Sequence, residues 1–233
     1  MSETVQDRNL DLLSVPATAE RRLQVAGRNA AAPVARLRRA ALSVAEGLYA
    51  TLEVTVSGLA LLAALPVIAT LAILVRIDSP GPPLFLQKRV AKCRRRPDGS
   101  LELCTFRFCK LRTMYTDAPQ RFPDLYRYEY TPEEIARVAF KRESDPRVTR
   151  LGAWLRRSTL DELPNLWHVM TGRMRLVGPR PEIPEMLPNY RPEQLRKFTV
   201  KPGVTGLAQI NGRGRLTFQR TVGWDLEYVD RRT

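Results

Sequence analysis

The stretch Val54 to Val75, VTVSGLALLAALPVIATLAILV, runs for 22 residues without a charge. As a straight helix it is about 33 Å long, enough to cross the hydrocarbon of a bilayer. It lies too far from Met1 for an ordinary signal peptide, and no charged segment directly precedes it. The soluble alternative is a fully buried core helix, and a run this long is uncommon in soluble domains. Pro66 sits near its middle, where it removes one helix hydrogen bond and clashes with the Leu62 carbonyl.

The flanks bear on topology. Arg36, Arg38 and Arg39 precede the run; Arg76, Lys88, Arg89, Lys92 and Arg94 to Arg96 follow it. With basic residues at both ends, the positive-inside rule selects neither side. If both ends stay cytoplasmic the segment must enter and return, and a mid-segment proline is where it would bend. The reading favours a re-entrant helix broken at Pro66 over a spanning one.

Outward from this run, residues 1–35 read as a disordered polar leader. Residues 36–53 have helical character, so 36–78 form an interfacial helix and the membrane helix. Residues 79–233 form the remaining domain. Ser79-Pro80-Gly81-Pro82-Pro83 ends the helix. Leu84 to Leu86 and Leu101 to Met114 suggest strands, with a turn at Asp98-Gly99 between them. Pro132-Glu133-Glu134 reads as a helix start. Residues 147–172 form the most helical stretch, and loops and short elements follow Gly172.

The chain of 233 residues carries 38 Lys+Arg against 24 Asp+Glu, a net charge of +14. Apart from one charge, the excess lies wholly after the apolar run and is mostly arginine. It calls for an anionic partner: phosphate-bearing substrate, anionic membrane face or nucleic acid. With 44% hydrophobic residues the chain is neither disordered throughout nor a collagen. Cys93, Cys104 and Cys109 form no paired framework, and with His168 they match no standard zinc spacing.

The chemistry concentrates in Arg156-Arg157-Ser158-Thr159-Leu160-Asp161-Glu162-Leu163-Pro164. Thr159 and Glu162 have capping-box spacing, whereas Pro164 suits the first position of a helix starting after Leu163. Either way two carboxylates sit at or just before a helix start, where anions are favoured. They could simply cap that helix. Three constrained segments add basic groups or turns: Lys110-Leu111-Arg112-Thr113-Met114, Gly178-Pro179-Arg180-Pro181, and Pro202 to Gln209. Together they suggest a site for a phosphorylated substrate. A carboxylate can accept a phosphoryl group, provided arginines and a divalent metal screen its charge.

At these residues the chain resembles the monotopic phosphoglycosyl transferases, bacterial sugar transferases that charge a polyprenyl phosphate carrier. The resemblance runs from about Glu53 to Asp230. It adds Asp78 to Pro82, Gln87-Lys88-Arg89-Val90 and Asp145 to Gly152, all in the family's order. It implies an α/β fold: a re-entrant membrane helix broken at Pro66, with a small α/β domain and amphipathic helices on the cytoplasmic face of the bacterial inner membrane. It also implies a UDP-sugar donor, a polyprenyl phosphate acceptor, Mg²⁺ and surrounding membrane lipid. Nucleic acid is not expected as a partner, since no recognisable binding motif or interleaved aromatic-basic patch accompanies the charge. A second copy of the chain is a further candidate partner.

The family's acidic pair falls on Asp161 and Glu162, the implied catalytic and metal-holding residues, with Glu162 helping to hold Mg²⁺ or managing a proton. Asp161 would attack the sugar-bearing phosphate and expel UMP. Arg156 and Arg180 fall on phosphate-contacting positions. Lys110, Arg112, Gln209 and Asp225 match further substrate-binding positions. Glu53 stands where the family usually has Asp, Ala91 where it has Gly, and Arg173 and Arg175 where it has Asp and Ser. The pattern leads one to expect a further amphipathic helix after Val229, so the catalytic domain reads as short at its C-terminus. An inactive membrane scaffold is the alternative function.

Overall fold

The computed structural model describes residues 32–96, 101–138, 144–212 and 215–232. The leader over residues 1–31 and the Asp98-Gly99 turn tip lie outside these residues. The apolar run belongs to one long helix, α1 (Ala32–Asp78), which takes in the last four residues assigned above to the leader. The expected break at Pro66 does not interrupt it: Pro66 lies inside the helix. A proline forfeits one backbone bond, and the turns on either side keep theirs. Thr70 Oγ1 donates to the Pro66 carbonyl at 2.9 Å, a side-chain bond of a kind that bends helices.

After Ser79–Pro83 the chain forms strand β1 (Leu84–Val90), longer than the three residues expected. A short pair follows, β2 (Arg94–Arg95) with β3 (Leu101–Glu102), and then β4 (Thr105–Leu111). β1 and β4 are antiparallel, with Phe85 opposite Lys110 and Lys88 opposite Arg107. The single strand expected over Leu101 to Met114 is thus divided, and Met114 instead makes an isolated bridge to Val148.

Helix α2 (Ala118–Arg121) leads to α3 (Pro132–Arg137), which starts where the sequence predicts. There Thr131 and Glu134 form a reciprocal capping box. The stretch expected to be most helical divides into α4 (Arg150–Ser158), a 3₁₀ turn (Leu160–Asn165) and α5 (Leu166–Met170). β5 (Arg175–Val177) pairs in parallel with β6 (Gly203–Thr205). Two 3₁₀ segments lie between them, and α6 (Leu207–Gly212) follows. The expectation of short elements after Gly172 fails at α7 (Phe218–Arg232), a 15-residue helix. It buries Phe218, Val222, Asp225 and Val229 at three- and four-residue spacing.

The largest core cluster joins α7 to the 3₁₀ segments through Phe218, Val222, Tyr190, Phe198 and Leu187. A second cluster holds Leu71 and Val75 of α1 against Leu111 and Leu155. Gly178 and Gly203 meet backbone to backbone. A Cβ on Gly203 would fall 2.1 Å from the Gly178 nitrogen, so no side chain fits there.

One stripe of α1 is covered by the domain: Glu53, Ser57, Leu71, Val75 and then Ser79 just past its end. Glu53 Oε1 accepts from the Leu176 amide at 3.0 Å. Ser79 Oγ accepts from Arg112 at 2.6 Å. Between these fastenings Leu59, Leu62, Leu65 and Val67 are exposed. Among the described residues α1 has the length and apolar composition to cross a membrane.

Candidate active site

Strand β4 carries Lys110 inward from its hydrogen-bonded edge, opposite Phe85, whose ring lies 5.8 Å from the ammonium. Fifty residues on, α4 ends at Thr159, which adopts a left-handed conformation with φ 59°. This reversal starts the 3₁₀ turn and sets Asp161 beneath β4. The expected Thr159–Glu162 capping box does not form. Thr159 makes no side-chain cap, and its carbonyl accepts from the Glu162 amide at 3.1 Å. Nor does Pro164 begin a helix, since it lies inside the 3₁₀ turn. The local sequence permitted both ends, and the turn uses neither.

Asp161 is 5% exposed. Its Oδ2 lies 4.0 Å from Lys110 Nζ. Burial raises the Asp161 carboxyl above the ordinary carboxylate range, and Lys110 opposes that shift. Burial in turn depresses Lys110 to about 8, against the pull of Asp161. Glu162 is held differently. Arg180 Nη2 donates to its Oε1 at 2.6 Å. Burial would raise the Glu162 carboxyl, but Arg180 outweighs it and the group titrates low. Arg180 likewise stays high although burial opposes its charge, because Glu162 faces it.

Arg156 stands on the same side, one turn before Thr159. Its Nε donates to Thr113 Oγ1 at 2.9 Å, and its Nη1 lies 3.8 Å from Asp145. Asp145 is itself clasped by Arg147 at 2.8 Å. Asp161 lies within the electrostatic reach of Lys110, Glu162, Arg180 and Arg156, which gathers the five into one cluster around it.

The remaining expected site residues lie elsewhere. Arg112 is 4% exposed and does not face the dyad. Its guanidinium donates to the Ser79 hydroxyl and to the carbonyls of Ser79 and Pro82, at 2.6–2.7 Å. It therefore caps the C-terminal end of α1, a favourable place for a cation. Asp225 is 1% exposed and pairs with Lys197 at 2.9 Å, in a buried group completed by Glu182 and Tyr190. In this structure both side chains serve as internal fastenings, Arg112 at the end of α1 and Asp225 between α7 and Lys197. Gln209 lies on α6 against Gly206, its amide atoms buried and without a protein partner. None of its contacts joins it to the dyad.

Arg89 escaped the sequence reading as a site residue. It donates to the Pro181 carbonyl at 3.1 Å, tying β1 to the Arg180 loop, and burial lowers its guanidinium to about 10. The signal was available: strand alternation puts Phe85, Gln87 and Arg89 on the face that carries Lys110.

Among the described residues no three carboxylate, imidazole or thiol groups gather as a metal-ligand set. Two adjacent carboxylates do. Their ion pairs use Asp161 Oδ2 and Glu162 Oε1, which leaves the other oxygen of each. Mg²⁺ commonly binds through one or two carboxylates with substrate phosphates and water, so this donor set fits it.

The arrangement has a defined chemical capacity. A desolvated carboxylate is, when ionised, a more basic and more reactive oxygen nucleophile than one in water. The surrounding Lys110, Arg156 and Arg180 supply the positive field that a diphosphate requires.

The bacterial sugar transferase family matches residues 45–233. The chain is 39% identical over 188 residues to the undecaprenyl-phosphate glucose phosphotransferase of Komagataeibacter xylinus, covering 76% of this chain and 31% of that protein. It is 34% identical over 185 residues to the UDP-glucose:undecaprenyl-phosphate glucose-1-phosphate transferase of Escherichia coli, covering 76% and 35%. With the exopolysaccharide production protein ExoY of Rhizobium meliloti it shares 32% identity over 177 residues, 76% of this chain and 74% of that one. The chain thus spans about a third of the length of the first two relatives and three quarters of the third.

Proposed function

The chain belongs to the bacterial sugar transferase family, and from that premise we propose that it moves a sugar-1-phosphate from a UDP-sugar to polyprenyl phosphate at the inner membrane. The product would start an exopolysaccharide or a related surface glycan. Asp161 attacks the sugar-bearing phosphorus, and the bond from that phosphorus to the bridging oxygen breaks. UMP leaves with that oxygen, and a phosphosugar-aspartate remains. A phosphate oxygen of the polyprenyl carrier then attacks the same phosphorus and frees the carboxylate.

The observation that carries this reading is the unequal treatment of two neighbouring carboxylates. Glu162 is neutralised by Arg180 at 2.6 Å, whereas Asp161 is buried with only a 4.0 Å cation. Glu162 therefore holds Arg180 toward the diphosphate, and Asp161 is the less firmly engaged carboxylate, free to present an oxygen for attack. Asp161 and Glu162 would hold Mg²⁺, which when bound neutralises diphosphate charge. Lys110 and Arg156 orient the donor phosphates.

The membrane course is read as re-entrant. Glu53 and Ser79 bracket the apolar run and are both buried against one polar domain, which supports both ends lying on one side of the membrane, taken as cytoplasmic. A helix can kink at a proline without losing helical structure on either side. Cysteines placed in turn near Ala50 and at Lys92 should both resist an impermeant thiol reagent applied outside intact cells. Labelling of one alone would make the segment spanning.

The chemical test omits the acceptor. Purified chain with UDP-sugar and Mg²⁺ should release up to one UMP per protein and acquire a donor-derived mass on the peptide containing Asp161. Release only when polyprenyl phosphate is present would establish direct attack and remove Asp161 from the nucleophile's role. No release with or without acceptor would favour the scaffold.

A further inference from the structure

The outward face of the β1–β4 hairpin carries a charge arrangement that catalysis does not use. Lys88 and Arg107 are directly opposite in the antiparallel register, and both are exposed. Like charges facing across a strand pair repel. Arg173, exposed just beyond α5, joins them around a groove of about 700 Å³ that Leu86, Gln87, Thr105 and Phe106 also line, so the groove wraps from the outward face onto the Gln87 and Phe106 side of the strands. Among the described residues none of the three cations has a carboxylate within ion-pair distance. An anion would convert the repulsion into attraction.

The same face says what anion to expect. Strand alternation places Leu84, Leu86 and Lys88 together, opposite Leu111, Cys109 and Arg107. Leu111 packs on Leu71 and Val75 of α1, so this face is continuous with the apolar helix. Leu84 and Leu86, 41% and 50% exposed, extend the apolar surface outward. The cations begin about 13 Å along the strands from the Leu84–Leu111 pair. An apolar strip that grades into cations matches the order of acyl chain and headgroup phosphate. Trp154 and Trp167 are exposed on α4 and α5, and tryptophan is enriched at the level of the headgroups.

We propose that the groove formed by Lys88, Arg107 and Arg173 is a binding site for the headgroup of an anionic bilayer phospholipid, with Leu84 and Leu86 entering the acyl boundary beside it. A nucleic acid would use the cations and leave the adjoining leucines without a role, so lipid is the occupant the face favours. The proposal rests on the membrane placement of α1. It adds an anchor that fixes the tilt of the hairpin, and with it the height of Lys110 above the lipid.

The test uses the full chain in an uncharged detergent, titrated with phosphatidylglycerol or phosphatidylcholine and read by native mass spectrometry. The variant is Lys88→Gln, Arg107→Gln and Arg173→Gln together. The wild type should prefer phosphatidylglycerol. The variant should lose affinity for it roughly fivefold per cation, on the order of a hundredfold in all. Binding of phosphatidylcholine, which reports α1, should not change, nor should the unfolding midpoint or UMP release in detergent. Lys88→Gln alone gives the fivefold step should the triple variant fold poorly. Equal phosphatidylglycerol binding by wild type and variant would overturn the site. Displacement of that lipid by inorganic phosphate or single-stranded RNA at matched charge would also overturn it. Loss of phosphatidylcholine binding by the wild type would count against α1, whatever the UMP assay shows.

Discussion

Lys197 and Asp225 meet at 2.9 Å with 3% and 1% of their side chains exposed, whereas Arg180 and Glu162 meet at 2.6 Å with 41% and 18% exposed. The first pair is sealed. Tyr190 donates to Glu182 at 2.8 Å and receives from Lys197 at 3.1 Å, and Asp225 is held by its ion pair with Lys197. The second pair opens to solvent and stands beside Asp161, whose nearest cation is distant. A buried pair costs desolvation that good geometry must offset. Where that expense is accepted without access for a ligand, the group fastens elements, here α7 to the 3₁₀ segment before β6. Where access is kept and one carboxylate is left poorly matched, the group is available for chemistry.

The contrast can be broken at several points. Asp161→Asn keeps shape and removes the nucleophilic charge, so UMP release should fall by at least about a thousandfold. The unfolding midpoint should stay near that of the wild type; a large drop would mean that Asp161 serves the fold. Asp225→Asn should do the reverse. It strands Lys197 in the interior at a cost of about 3 kcal/mol, which lowers the unfolding midpoint by roughly 6–12 °C. Paired replacement by Lys197→Met and Asp225→Leu should recover much of that loss. Turnover of the folded Asp225→Asn protein should change less than tenfold, and a larger fall would return Asp225 to the substrate.

Smaller effects sharpen the open cluster. Arg156→Ala and Arg180→Ala should each lower kcat/KM about tenfold or more, the equivalent of one charge-assisted hydrogen bond. Lysine should rescue poorly for want of a planar fork. Full activity in either alanine variant would separate that arginine from the donor. Least in size is the support from Asp145. Its carboxyl is held below the ordinary value of 3.8, chiefly by its hydrogen bond from Arg147 and against the cost of burial. A depressed carboxylate contributes stability that is present above its unfolded pKa and lost as pH falls through the folded value. Asp145→Asn should therefore be less stable by about 1–2 kcal/mol at neutral pH. In denaturant titrations the difference should shrink as pH falls below 3.8 and vanish only below the still lower folded value. A gap that persists there would assign the loss to packing.

The two clusters were unequally legible in the sequence. Asp161 and Glu162 are adjacent, so a short motif exposes them. The pairing of Lys197 with Asp225 spans a loop, a strand and two helices, and nothing local announces it. The surroundings of Arg112 were hidden for a related reason: an arginine at a strand end looks the same in sequence whether it meets phosphate or the carbonyls of Val75 to Pro82. The capping residues divide likewise. Thr131 and Glu134 form a capping box at the helix start read at Pro132, and α3 continues past them. Thr159 and Glu162 have the same spacing, but Thr159 ends α4 in a left-handed conformation and the chain leaves in a 3₁₀ turn with no side-chain cap. The apolar run was readable from the absence of charge alone. Its fastening at both ends needed Glu53, Leu176 and Ser79 in space.

Gly178 and Gly203 have a consequence for any survey of variants across this chain. Their backbones touch so closely that alanine at either one would collide with main chain. The strip that holds the Arg180 loop would then have to part. A saturation library scored for sugar transfer should therefore rank these two glycines beside Asp161, although neither has an atom that could bond a donor. The most intolerant positions would trace two maps laid over each other, one of reactivity and one of clearance. A temperature-shifted replicate of the screen would separate them, since only variants limited by clearance should regain function in the cold.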